Sequence, residues 1–132
     1  MFEITQLAAK DTFNLELLSP TDAALLDSAG APLSITIYGP GSKAYARAQA
    51  ERNQRLIERS ARKGKFSLSA DEQAREGAQF LADCTQSFNG WGYKGSAGRE
   101  AILAAYLDRS IGFIADQVAK AVGDWANFTS SS

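Results

Sequence analysis

Residues 96–128 read SAGREAILAAYLDRSIGFIADQVAKAVGDWANF and contain the strongest helical period in the chain. Four apolar residues recur every three or four positions: Ile111, Ile114, Val118 and Val122. This spacing places all four on one side of an α-helix, and the opposite side is small or polar. Such an amphipathic helix needs a partner for its apolar face, so we expect most of the chain to pack against it.

The sequence also predicts where this closing helix begins and ends. Asp108 can cap its N-terminus, and Gly123 stands where a left-handed residue often ends a helix. A shorter helix precedes it, with Ser96 as its candidate cap and apolar residues between positions 102 and 107. Because almost nothing joins the two helices, we expect a tight helical corner or hairpin.

Length and charge restrict the class of protein. The 132 residues suffice for one domain with a modest core. The net charge of −1 gives no whole-molecule attraction to nucleic acid or to an anionic membrane. The charge is unevenly placed, because residues 43–65 carry eight Lys and Arg against two Glu while the remainder is acidic. The pattern indicates a basic helix attached to an acidic body.

Several features favour the cytosol as the site of action. No apolar run approaches the roughly 18 residues needed to cross a bilayer, and MFEITQLAAKD at the start does not resemble a signal peptide. The single cysteine, Cys84, cannot form an internal disulfide, which fits a reducing compartment. Its position between Phe80 and Phe88 on the apolar side of a helix predicts a buried small apolar residue.

Residues 13–38 show a period of two rather than 3.6. Apolar and mostly polar residues alternate over residues 13–18 and again over residues 33–38, which predicts two strands. Two turn-rich segments lie between them and flank residues 23–26, a candidate middle strand. We expect a three-stranded antiparallel meander that needs helices to cover it.

A long charged helix is predicted after the meander. Ser42 is its candidate cap, and Gly64 ends it. Its apolar stripe is thin and made mostly of small residues: Ala46, Ala50, Ile57 and Ala61. The opposite side carries a row of arginines: Arg52, Arg55, Arg59 and Arg62. With so little apolar surface, this helix is expected to project or to lie shallowly on its neighbour.

Three roles are open for the arginine row. Glu51 with Arg55 and Glu58 with Arg62 are i, i+4 pairs in the favourable orientation, which is typical of a solvated helix face. The row could instead contact an acidic protein surface or grip phosphates. No aromatic residue is interleaved with the arginines to stack on bases, which argues against nucleic acid.

The next helix has a clear start. Ser69 and Glu72 have the spacing of a capping box, so we expect a helix from there to about Gln86. Its predicted buried side consists of Ala74, Gly77, Phe80, Leu81, Cys84 and Phe88. The predicted single domain, 1–132, therefore has four parts: a β-meander (1–41), a basic helix (42–64), a helical part (69–128) after a connector, and a frayed tail (129–132).

An aromatic, glycine-rich stretch, NGWGYKG, occupies residues 89–95. It matches the pattern G-x-G-x-x-G, but a helix is predicted before it where a dinucleotide site has a strand, and two bulky rings would crowd a pyrophosphate. Two interpretations remain. Either the aromatic side chains plug the core, or Phe88, Trp91 and Tyr93 form an exposed patch of the kind found at interface centres.

The sequence argues against catalysis. It contains no histidine, which removes Ser-His and Cys-His pairs and the commonest metal ligand. The local acidic groupings, Asp71 with Glu72 and Glu76 or Asp108 with Asp116, are better explained as helix capping and solvated surface. We therefore predict no enzyme, no cofactor and no metal site. The alternative, from a different functional class, is a small enzyme or a nucleotide-binding protein.

Two stretches resemble a known family. They are residues 32–42, PLSITIYGPGS, followed directly by a charged helix, and residues 106–128, YLDRSIGFIADQVAKAVGDWANF. Together with a small β-meander at the start, this order is similar to small proteins from the tail gene modules of long-tailed bacteriophages. Within those modules it most resembles a tail assembly chaperone.

The resemblance implies a non-enzymatic assembly factor in the host cell cytoplasm. Such a factor binds the long, largely helical tape measure protein, keeps it soluble, helps recruit tail tube subunits and is absent from the mature virion. A ring or other homo-oligomer would suit a protein that coats a long partner. The alternative is a permanent virion protein of the tail or of the head-tail connection.

Aromatic anchors and a charged rim are what binding to such a partner requires. The candidate aromatic anchors are Trp125 and Phe128, just beyond the last helix, and the loop residues Phe88, Trp91 and Tyr93. The candidate charged contacts are Arg52, Arg55, Arg59 and Arg62. We expect no contact with a membrane.

Overall fold

The computed structural model describes residues 1–63 and 68–129. Over these residues the chain has an α+β fold, as predicted, with a three-stranded antiparallel sheet and five α-helices. The strands are β1 (Thr12–Glu16), β2 (Ser34–Tyr38) and β3 (Thr85–Asn89). The α-helices are α1 (Lys43–Lys63), α2 (Ala70–Asp83), α3 (Arg99–Leu107), α4 (Gly112–Val122) and α5 (Trp125–Thr129). Two short 3-10 helices span Ile4–Leu7 and Arg109–Ile111.

The sheet has β2 at its centre, with β1 and β3 antiparallel on either side. Leu15 of β1 lies opposite Ile35 of β2, and Ile35 also lies opposite Phe88 of β3. Ile35 and Ile37 are both fully buried, since alternate residues of a strand point to the same face. This buried face is the one that the helices cover.

The third strand is not the one that the sequence predicts. Residues 23–26 form only isolated bridges, Leu18 to Ala24 and Leu26 to Pro32, and the meander is not confined to residues 1–41. The strand beside β2 comes instead from residues 85–89, which we expected to be the end of a helix and the start of a loop. Helix α2 ends at Asp83, and Arg99 donates hydrogen bonds to the carbonyl oxygens of Ala82 and Thr85 on either side of the turn into β3.

Helix capping agrees with the sequence in part. The Ser42 hydroxyl accepts from the Tyr45 N–H at 3.1 Å, and Ser69 with Glu72 forms the predicted capping box. Asp108 caps the 3-10 helix that leads into α4. Ser96 does not cap α3, because Gly98 occupies that position with no side-chain hydrogen bond, and Gly123 is not left-handed, since its φ is −95°.

Helix α1 faces its neighbour with the side that we expected to be solvated. The predicted apolar stripe points outward, and Ile57 is 57% exposed. The inward side contains the buried Ala48 and the half-buried Arg55 and Arg59. The apolar stripe predicts the wrong inward face because α2 presents a buried carboxylate, Glu76, which pairs with Arg55 and Arg59.

The core lies between the sheet and the helices α2 and α4. Three of the four residues predicted for the apolar face of the closing helix are buried: Ile114, Val118 and Val122. The fourth, Ile111, is half-buried and ends the 3-10 helix that precedes α4. Helix α4 packs against β2, and α5 packs against β1. Helix α2 contacts α1, α3, α4 and β3, so it shares with α4 the central position that we expected of the closing helix alone.

Two expectations fall partly beyond the described residues. The stop at Gly64 and residues 65–67 of the connector lie outside them, as do residues 130–132 of the tail. Thr129, which we expected to fray, is the last residue of α5.

Candidate partner-binding surface

Three of the four predicted arginines are used within the molecule. Arg55 donates from Nε to Glu76 Oε1 at 2.8 Å, and Arg59 Nη2 lies 3.3 Å from the other oxygen of that carboxylate. The guanidinium of Arg52 lies over the Phe80 ring, 5.3 Å from its centroid, as a cation–π contact. Arg62 alone of this row is exposed. The row therefore joins α1 to α2 rather than forming a free basic face.

The expected i, i+4 pairing on α1 is also replaced. Arg55 pairs with Glu76 and, at 4.0 Å, with Asp83 of α2, not with Glu51. Glu76 is 3% exposed, so its charge needs these partners to be stable there. Glu58 instead accepts a hydrogen bond from Gln54 at 3.2 Å.

The aromatic loop residues pack onto the body of the protein. Phe88 is 7% exposed and stacks on Trp91 with the ring centroids 3.9 Å apart. Trp91 donates from Nε1 to the Ser34 carbonyl oxygen at 2.9 Å, and the Tyr93 hydroxyl donates to Asp108 at 2.7 Å. The prediction of an exposed aromatic patch is therefore wrong for Phe88, and Trp91 and Tyr93 are half-buried. The other interpretation, in which the rings plug the core, describes this loop.

Local geometry explains the need for glycine at position 92. A Cβ atom on Gly92 would lie 2.7 Å from the Ser96 carbonyl oxygen, so the glycine allows two backbone segments to approach closely. The hydrogen bond with Asp108 raises the pKa of the Tyr93 hydroxyl. Hydrogen bonds from Ser110, and then from Tyr93, lower the pKa of the Asp108 carboxyl. The loop is thus tied to the corner between α3 and α4.

The two aromatic residues of α5 have opposite environments. Phe128 is 1% exposed, and its ring meets Phe13 edge to face at 5.8 Å between centroids. Our expectation of Phe128 as an exposed anchor is therefore wrong, because the absence of a side chain on Gly39 leaves space for the ring. Trp125 is 56% exposed and remains a candidate anchor.

Three further exposed residues were missed from the sequence. Phe2, Ile4 and Leu7 are 65%, 67% and 60% exposed on or beside the first 3-10 helix, which has no buried residue. Three large apolar residues within the first seven, outside any predicted element, were the available signal. Scattered exposed apolar residues are ordinary, but a concentrated group is typical of an interaction site.

The segment that carries these residues joins the body beside Trp125. A Cβ atom on Gly41 would lie 3.2 Å from the Trp125 ring and 3.7 Å from the Ala9 side chain. The Lys10 N–H donates to the Phe128 carbonyl oxygen at 2.7 Å. Ala9 and Lys10 thus bring the end of the N-terminal segment to α5. We use the name apolar surface for the four exposed residues of these two elements: Phe2, Ile4, Leu7 and Trp125.

Cys84 is fully buried, as predicted. Burial, with a smaller effect from the charge of Asp83, raises the pKa of its thiol to about 12. Burial also raises the pKa of the nearby Tyr106, whose hydroxyl lies 2.7 Å from the Thr85 hydroxyl. A protonated thiol without access to solvent is a poor nucleophile, so the structure gives Cys84 a packing role.

This environment predicts both reactivity and pH dependence. In native buffer at pH 8 we expect the Cys84 thiol to react with a disulfide reagent such as DTNB at least about 100-fold more slowly than in urea. Equal reaction rates in native buffer and in urea would contradict this burial, and Cys84→Ala serves as the blank.

The free energy of unfolding is expected to fall from about pH 9 upward, because the unfolded chain then loses a thiol proton that the folded chain keeps to about pH 12.

Metal-binding groups and membrane-spanning helices are absent from the part of the chain that the structure describes. Within it, no group of three His, Cys, Asp or Glu side chains could hold a metal ion. None of the helices described has the length and apolar character to span a bilayer. No family model, curated protein or solved structure matches the chain.

Proposed function

We propose that the protein is a non-enzymatic tail assembly chaperone of a long-tailed bacteriophage. In this role it binds the tape measure protein in the host cytoplasm, keeps it soluble and helps recruit tail tube subunits. The observation that supports the proposal best is the apolar surface, in which four large apolar side chains are each more than half exposed. A long helical partner with an apolar stripe would cover these side chains and be covered by them.

The size of the surface fits a reversible complex. Full burial of one large apolar side chain is worth about 1.5–3 kcal/mol. Because the four side chains are between 56% and 67% exposed, covering the exposed part contributes roughly 3–8 kcal/mol. Association itself costs on the order of 4–15 kcal/mol. The gain and the cost are of similar size, so these four side chains alone support only weak binding, which suits a factor that must leave before the tail is complete.

The proposal also explains why exposed Trp125 is placed on a rigid support. Helix α5 is anchored by buried Phe128, and the Asp124 carboxylate accepts a hydrogen bond from the Ala126 N–H at 3.0 Å. An anchor whose backbone is already ordered loses less conformational entropy when it binds. The tryptophan can therefore contribute its exposed apolar area to affinity at a lower entropic cost.

Affinity purification after co-expression with the tape measure protein tests this function. We expect the wild-type chain to retain the tape measure protein, and the double variant Trp125→Ala, Leu7→Ser to retain at least about tenfold less because apolar burial is lost. Ile57→Ser is the matched control, since Ile57 is 57% exposed but lies on α1, outside the apolar surface.

Three outcomes would count against the proposal. The double variant could retain as much tape measure protein as the wild type, or the Ile57→Ser control could lose as much as the double variant. The protein could also be abundant in purified virions by mass spectrometry, which would favour a permanent structural component.

A further inference from the structure

A concave surface lies between the end of β1 and helix α4. We call it the β1–α4 groove, and its volume is about 500 Å³. Apolar side chains form much of its lining: Leu15, Leu18, Phe113 and Ala121. Gln117 fixes one wall, because its side-chain amide accepts from the Leu18 N–H at 2.9 Å and donates to the Leu18 carbonyl oxygen at 2.8 Å. The groove is therefore preformed.

The rim of this groove is acidic. Glu16, Asp22 and Asp116 line it and are exposed, and none of these three carboxylates has an ion-pair or side-chain hydrogen-bond partner in the described part of the chain. Asp124 adds a fourth carboxylate, which is already used to cap α5. Lys120 is the basic residue that lines the groove. With four carboxylates against one lysine, the lining carries a surplus of three negative charges.

We propose that the β1–α4 groove binds a peptide segment of a partner protein in which one apolar side chain is flanked by Lys or Arg. The apolar lining takes the apolar side chain, and the rim carboxylates pair with the flanking cations. Such pairing offsets the mutual repulsion of the rim, and charge complementarity also excludes acidic segments. The site is distinct from the apolar surface, because the two share no residue.

The dimensions and charge of the groove restrict its occupant. A volume of about 500 Å³ lies within the range of about 300–1,000 Å³ for ligand pockets, so it fits a short segment rather than a whole helix. Anionic lipids and nucleic-acid phosphates would meet three unpaired carboxylates. Within the described part of the chain the rim carboxylates do not come together as a group of three that could hold a metal ion. A basic segment with an apolar anchor satisfies both parts of the groove.

Fluorescence anisotropy with a labelled peptide of sequence RKRLKRK tests this proposal. At 0.15 M salt we expect it to bind the intact protein at least about tenfold more tightly than RKRSKRK, which lacks the anchor, and than EDELDED, which reverses the charge. The Glu16→Gln, Asp116→Asn variant and the Leu18→Ser variant should each weaken binding of RKRLKRK at least about tenfold.

Matched controls separate the groove from general acidity and from general apolar exposure. Glu58→Gln removes one exposed carboxylate on α1, and Leu26→Ser alters an exposed leucine that does not line the groove, so both should bind as the wild type does. Equal binding of all three peptides, or full binding by the groove variants, would overturn the proposal.

The outcome is separable from that of the proposed function. The Trp125→Ala, Leu7→Ser variant leaves the groove intact and should bind RKRLKRK normally. Loss of peptide binding in that variant would show that the peptide docks on the apolar surface, and it would overturn the assignment to the groove.

Discussion

Replacement of Phe128 by alanine is expected to lower the free energy of unfolding by about 4 kcal/mol. The ring is 1% exposed, lies against Phe13 and fills the space left by Gly39, so its removal loses apolar burial and leaves a cavity. Urea unfolding followed by circular dichroism measures the effect, because the helices and the sheet are lost together in one domain.

Trp125→Ala is the matched control for this variant. Trp125 is three residues away on the same short helix but is 56% exposed, so its loss should change stability by less than about 1 kcal/mol. A Phe128→Ala variant as stable as the wild type would contradict the placement of this ring in the core. It would also return Phe128 to the set of candidate anchors.

Glu76→Gln is expected to lower the free energy of unfolding by about 3 kcal/mol. The substitution keeps the shape of the side chain but removes the charge that pairs with Arg55 and Arg59. Two guanidinium groups, 30% and 20% exposed, then remain between helices with less compensation. Urea is the appropriate denaturant, because guanidinium chloride would screen the interaction being measured.

Glu58→Gln removes the same charge from an exposed position on α1. Its stability should stay within about 0.5 kcal/mol of the wild type. Equal effects of the Glu58 and Glu76 variants would mean that the contact between α1 and α2 does not depend on the buried carboxylate.

Local patterns predicted much of the fold. The period of Ile114, Val118 and Val122 gave the buried face of the closing helix, and Ser69 with Glu72 gave the start of α2. These signals are readable because each depends on residues within one or two turns of the chain. The alternation over residues 33–38 predicted the central strand for the same reason.

Features that depend on distant partners were predicted wrongly. Residues 85–89 become a strand because they pair with β2, which lies about fifty positions earlier in the sequence. The inward face of α1 follows from Glu76, a residue on another helix, so the apolar stripe around Ile57 gave the wrong side. Burial of Phe128 likewise depends on the space at Gly39.

The candidate site was predictable only in part. Trp125 was identified as an aromatic residue beyond the last predicted helix, and it is exposed. Phe2, Ile4 and Leu7 were not identified, because an apolar residue outside a periodic segment carries no indication of whether it is buried. The end of their segment reaches Trp125 only in the folded structure, where Ala9 and the Trp125 ring both lie beside Gly41.

The central claim is that the apolar surface works by covering a partner that aggregates without it. The most direct measurement is the soluble fraction of the tape measure protein after centrifugation, when it is expressed alone, with the wild-type chain, or with the Trp125→Ala, Leu7→Ser variant. We expect the tape measure protein to be soluble when expressed with the wild-type chain and insoluble when expressed alone or with the variant. A tape measure protein that is equally soluble with and without the chain would contradict it.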